Sequence, residues 1–212
     1  MRITPEVSLV AGPVGTIEVI VEAPAVPKGI ALVGHPHPLF GGTNTNKVAQ
    51  TLAKTLSGLG YVALRPAFRG TGKTEGAHDE GRGETDDQIA VLEWAKARYG
   101  VLPIVLSGFS FGAYVSANVA SRLAAAGAPA QRLVLVGTAA GHVEGARKYD
   151  TAAVAPDTIV IHGSSDETVP LYNVLQWAEP MDLPVVVVSG ADHFFHRRLH
   201  VIRDIIHRAW RD

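Results

Sequence analysis

One local pattern recurs along the chain. A short, almost purely apolar run gives way to a polar, glycine-bearing loop, and apolar residues at helical spacing follow. The runs are Ile30–Val33, Tyr61–Leu64, Leu102–Leu106, Arg132–Val136, Thr158–Ile161 and Pro184–Val188. A strand apolar on both faces is buried on both faces, which is the signature of a parallel sheet covered by helices. The intervening periodicities supply those helices. They are Val48, Leu52 and Leu56; Ile89, Leu92 and Ala95; Val115, Val119 and Leu123; a short stretch from about Leu171 to Ala178; and Leu199, Ile202, Ile206 and Ala209. Caps are offered by Thr43 to Asn46, and Gly58 and Gly60 stop the first helix. In the second, Asp86 and Asp87 are expected in the first turn and Lys96 and Arg98 in the last, as the helix dipole favours. Ahead of all this, Val7–Ala11 and Thr16–Glu22 alternate in polarity around Gly12-Pro13-Val14-Gly15, predicting an antiparallel hairpin at the sheet edge. Residues 137–155 have weak periodicity and read as an irregular crossover or a small cap, too short for a lid domain. The expected fold is α/β: about eight strands, mostly parallel, with helices on both faces, in a single domain over residues 1–212.

Composition narrows the function classes. With 212 residues, 47% hydrophobic and 18% charged, the chain can bury a large core. The formal net charge is −1 and there is no run of like charge, so neither nucleic acid nor an anionic membrane surface is expected as a partner. Cysteine is absent, which removes disulfides and thiolate metal sites. No apolar run approaches the ~18 residues that span a bilayer, and no secretory pattern follows Met1, so a cytoplasmic monomer or homodimer is expected.

In such sheets chemistry collects at the carboxyl ends of the strands. Gly108-Phe109-Ser110-Phe111-Gly112 lies between an apolar strand and a helix, the context a G-x-S-x-G nucleophile turn requires. The glycines allow strand and helix to meet closely, and the helix start directs free N–H groups toward Ser110. A serine hydroxyl needs an oriented base to take its proton. Asp166 ends one later strand and His193 the next, giving the chain order Ser110, Asp166, His193 expected of a nucleophile elbow. Asp192 is better suited to forming a turn, and His196 is the runner-up base. His35 is expected to anchor its loop by bonding backbone. His35 and His37 lack a nearby carboxylate or cysteine to complete a metal site, so no metal or other cofactor is expected. Gly70-Thr71-Gly72-Lys73-Thr74 fails as a phosphate loop, because Ala67 stands where glycine is needed and Glu75-Gly76 opens no helix.

These residues carry a resemblance. The segments 34–42, 65–72, 108–112, 162–166 and 190–195 are similar, in order, to those of α/β-hydrolase-fold serine hydrolases. The likeness is greatest to small, lid-poor bacterial hydrolases related to dienelactone hydrolase. The resemblance implies Ser110 as nucleophile, Asp166 as acid and His193 as base. Dienelactone hydrolase itself uses a cysteine, so the serine here favours ordinary esters over lactones. One oxyanion donor is expected from the Phe111 N–H and the other from the loop after Ile30–Val33. Pro36 and Pro38 have no N–H, which leaves His37 or Leu39. The run Pro38-Leu39-Phe40-Gly41 resembles the dienelactone hydrolase loop and favours Leu39. His37, Phe40, Tyr149 and Phe194, with His142, are candidates for the pocket wall. Arg65 and Arg69 are candidates for an acidic substrate group, or Arg69 for a pair with Asp79 or Glu80. The expected function is a carboxylesterase acting on small or exposed esters through an acyl-enzyme. A thioesterase, lactonase or small amidase on the same residues, or a non-catalytic binding member of the fold, are the alternatives.

Overall fold

The computed structural model describes residues 3–145 and 147–210; Met1, Arg2, Ala146, Arg211 and Asp212 lie outside them. The apolar runs form an eight-stranded sheet. In chain order the strands are β1 (Glu6–Ala11), β2 (Thr16–Glu22), β3 (Gly29–Gly34), β4 (Tyr61–Pro66), β5 (Ile104–Phe109), β6 (Arg132–Val136), β7 (Gly141–Val143), β8 (Arg147–Tyr149), β9 (Ile159–Gly163) and β10 (Val185–Val188). The helices are α1 (Lys47–Gly58), α2 (Arg82–Tyr99), α3 (Phe111–Ala125), α4 (Leu171–Ala178) and α5 (Leu199–Ala209).

The sheet order is β1-β2-β4-β3-β5-β6-β9-β10. The hairpin pairs antiparallel in the register Glu6↔Val21 to Ala11↔Thr16, and β2 pairs antiparallel with β4. Every pairing from β4 to β10 is parallel. Parallel neighbours need crossovers, and the helices that provide them divide the interior into two cores. One core packs α2, α3 and α4 on one face through Val91, Leu92, Val115, Val119 and Val174. The other packs α1 and α5 through Leu52, Leu56, Ile202 and Ile206.

Three local readings change. First, α2 starts at Arg82, several residues before Asp86, so the acidic residue of its first turn is Glu84. The early start has a cause: Glu84 accepts from the Gly81 and Asp79 N–H groups at 2.8 and 2.9 Å, and Asp79 caps Gly83 at 3.0 Å. Asp87 therefore lies inside the helix and buried. Second, residues 137–155 contain a two-stranded antiparallel ribbon, β7–β8. Third, the arginines meet carboxylates of the fold. Arg65 donates to Glu22 at 2.6 Å. Arg69 grips both oxygens of Asp87 at 2.8 and 3.0 Å, instead of Asp79 or Glu80. All four side chains are buried, so neither arginine is presented to a ligand.

Candidate active site

β5 is buried along its whole length and ends at Phe109, and α3 begins at Phe111. Between them Ser110 adopts φ 57°, ψ −120°. That conformation suits glycine; a side chain there is strained by about 1–3 kcal/mol and persists only when its surroundings enforce it. The enforcement is visible. The Ser110 N–H donates to Val136 O of β6 at 2.9 Å, and its carbonyl accepts from Ala113 and Tyr114 of α3. A Cβ on Gly108 would collide with the Gly112 backbone, and one on Gly112 with the backbone of Gly34 and His35. The turn can close this tightly, and the β3 loop can lie against it, only because those positions carry no side chain.

Two later loops bring their side chains to Ser110. After β9, Asp166 sits in a tight turn in which its Oδ1 accepts the N–H groups of Thr168 and Val169 at 3.0 and 2.7 Å. Its other oxygen is thereby aimed at His193, whose Nδ1 lies 2.7 Å from Oδ2. After β10, the His193 loop is pinned by Phe195, which is fully buried in the α1–α5 core. The His193 ring packs between Phe109 and Phe194, with centroids 4.8 and 5.1 Å away. Its Nε2 lies 3.0 Å from Ser110 Oγ. Hydroxyl, imidazole and carboxylate thus form one hydrogen-bonded line, all three nearly buried. With its Nδ1 proton held by a carboxylate, an imidazole has a lone pair free at Nε2 to take a hydroxyl proton.

His162 was not singled out from the sequence. It is fully buried below Asp166, and its Nε2 lies 2.9 Å from Val169 O and 3.5 Å from Asp166 Oδ2. Burial holds its pKa below the ordinary value, so it braces the carboxylate turn as a neutral ring. Its position within His162-Gly163-Ser164-Ser165-Asp166 was the available signal; the brace needs a contact four residues along a turn that the pattern does not describe. Asp192 and His196 form a separate surface pair, 2.6 Å apart, and do not enter the line.

The loop after β3 differs from expectation in one respect. His37 caps a 3₁₀ turn over Pro38–Phe40, and its Nδ1 accepts the Leu39 N–H at 3.2 Å. The loop resemblance favours Leu39 as the second donor, but its N–H is already committed to His37. The N–H groups of His37 and Phe111 have no hydrogen-bond partner among the described residues. The His37 ring also packs on the Phe111 ring at 4.8 Å, which places this loop beside the start of α3. Burial, then the nearby His78 and Arg147, lower the His37 pKa to about 4. His35 anchors the loop by bridging backbone: its Nδ1 lies 2.7 Å from Pro36 O and its Nε2 accepts Phe68 N–H at 2.8 Å. Burial lowers its pKa to about 4 as well, so it stays neutral.

Of the pocket candidates, His37, Phe40 and Tyr149 share a cleft of about 620 Å³ with Leu39, Tyr114 and Arg147. Phe194 lies apart, half-exposed beside His193. His142 lines a different groove, along β7 and α4. No group of side chains suited to holding a metal ion occurs among the described residues, and no helix among them is long and apolar enough to cross a membrane.

Comparison with known proteins places this geometry in a family. Residues 36–155 match the family described as the alpha/beta hydrolase fold. An alpha-beta serine hydrolase homologue from Coxiella burnetii is 39% identical, with full coverage of both chains and a TM-score of 0.86. A serine hydrolase without lid from Xanthomonas campestris is 33% identical over 99% of this chain and 94% of its own, with a TM-score of 0.85. An uncharacterized protein of Rickettsia prowazekii is 33% identical over 196 residues, 87% of this chain and 79% of that one.

Proposed function

Because the chain belongs to the α/β-hydrolase family, we propose that it is a serine hydrolase that cleaves small or exposed carboxylic esters through an acyl-enzyme. Ser110 Oγ attacks the ester carbonyl carbon while His193 Nε2 takes the hydroxyl proton. The carbonyl π electrons move to oxygen, and the N–H groups of Phe111 and His37 receive that oxyanion. Asp166 steadies the imidazolium. Collapse of the intermediate breaks the bond to the leaving alkoxide, which takes the proton from His193. Water then repeats the sequence: His193 removes its proton, the acyl–Oγ bond breaks, and a carboxylic acid leaves with Ser110 restored.

The observation that carries this reading is the unbroken line Ser110 Oγ–His193–Asp166, at 3.0 and 2.7 Å, on a serine held at positive φ. The same proton path serves thioesters, lactones and small amides, since all pass through a tetrahedral oxyanion; a leaving-group panel ranks them. A fluorophosphonate probe tests the reading. It should label the wild type at Ser110 and leave Ser110→Ala unlabelled, with ester turnover in the variant lower by on the order of 10⁴–10⁶ and circular dichroism unchanged. Label at another residue, or undiminished turnover in Ser110→Ala, overturns it.

A further inference from the structure

The cleft lined by His37, Phe40 and Tyr149 has a charge pattern that a simple neutral ester does not use. Its walls include His37 and Tyr149, both packed against the ring of Phe111, the residue after Ser110. Its permanent charges are three cations, Arg82, Arg147 and Lys148, and two carboxylates, Glu80 and Asp150. The carboxylates are occupied: Glu80 lies 3.5 Å from Arg82, and Asp150 lies 3.4 Å from Lys148. Arg147 is different. No carboxylate lies within ion-pair distance of it among the described residues.

Arg147 is nonetheless held in place. Its Nε and Nη2 donate to the Glu144 carbonyl at 2.9 and 2.8 Å. Its guanidinium lies 4.0 Å from the centroid of the Phe40 ring. A carbonyl oxygen and an aromatic face orient a guanidinium without cancelling its charge. The result is a pre-oriented cation facing a cleft that also offers apolar surface on Phe40, Tyr114 and Tyr149.

Resting on the hydrolase reading above, we propose that this cleft selects esters bearing an anionic group, a carboxylate or a phosphate, which Arg147 receives while the ester carbonyl reaches Ser110. Charge-assisted bonds to a guanidinium are strong enough to decide between otherwise matched substrates, even at a partly open site. The neutral state of His37 fits this division of labour, because it leaves the anion to Arg147 and the oxyanion to backbone N–H groups.

Two matched substrate pairs provide the test. The 4-nitrophenyl monoester of adipic acid is compared with 4-nitrophenyl hexanoate, placing the anion on the acyl side. Comparing 3-carboxyphenyl butyrate with phenyl butyrate places it on the leaving group. In one pair kcat/KM should favour the anionic member by about tenfold at low salt. That ratio should shrink as ionic strength rises and collapse toward one in Arg147→Gln. Arg203→Gln, which removes an equal charge from the exposed side of α5, should leave the ratio unchanged. A ratio near one in both pairs, or a ratio that survives Arg147→Gln, overturns the inference. If the neutral esters still turn over and Ser110 still takes the fluorophosphonate, the hydrolase reading stands without it. If no ester turns over and Ser110 is unlabelled, both fall.

Discussion

Replacing Asp166 by asparagine barely alters the shape of the side chain, yet it forces a choice of orientation. Oδ1 accepts the Thr168 and Val169 N–H groups at 3.0 and 2.7 Å, while Oδ2 faces His193 Nδ1 at 2.7 Å. Two backbone donors reserve the Oδ1 position for an oxygen, so the new amide NH₂ must turn toward His193. It then donates to Nδ1, which moves the ring proton to Nε2. An Nε2–H cannot accept the proton of Ser110. Restoring the working tautomer requires flipping the amide, which sets its NH₂ against both N–H groups. At about 1–3 kcal/mol for each donor left unsatisfied, the flip costs about 2–6 kcal/mol. The corresponding rate loss is about 30-fold to about 2 × 10⁴-fold. The assay is kcat/KM on a 4-nitrophenyl ester for wild type and Asp166→Asn, with thermal unfolding run alongside. Activity within about tenfold of wild type in a folded variant would refute the reasoning, because it would mean that the hydrogen bonds around residue 166 do not control the tautomer.

Two further outcomes follow from the same structure. The strain at Ser110 predicts that Ser110→Gly is more stable than Ser110→Ala by about 0.5–2 kcal/mol, after allowing for glycine's larger unfolded-state entropy. Both variants lose the bond to His193, so urea unfolding isolates the backbone term, and a glycine variant no more stable than the alanine one counts against strain. His35 predicts a pH dependence. Its pKa falls from 6.5 to about 4 on folding because burial disfavours the charged ring, so below pH 6.5 the unfolded chain binds a proton that the folded chain does not. Its contribution is complete above pH 6.5 and is lost as pH falls toward 4, by about 2 kcal/mol between pH 7.5 and 5. His35→Gln should reduce overall stability while shrinking that pH-dependent loss by about the same 2 kcal/mol. Parallel denaturation profiles for the two proteins would contradict the assignment.

The sequence by itself determined the layered sheet, the edge hairpin and the helices over Lys47–Gly58 and Leu199–Ala209. Each is written in short-range periodicity, capping residues and turn glycines, whose energies act within a few residues. It also carried Ser110, Asp166 and His193 to strand ends in the right order, because strand ends are marked locally too. Tertiary structure decided the partners that lie far apart in the chain, and local turn geometry decided the rest. Arg69 turned to Asp87 because α2 begins early and buries that carboxylate. Within its own loop, Leu39 gives its N–H to His37 two residues earlier, which leaves His37 its own. Arg147 came to rest over Phe40 through a contact between segments that no local pattern links, whereas His162 meets Asp166 four residues on, within a turn whose geometry the sequence pattern does not describe. A hydrogen bond or an ion pair depends on distance and on exclusion of water, and for partners far apart in the chain both are set only when remote stretches have packed together.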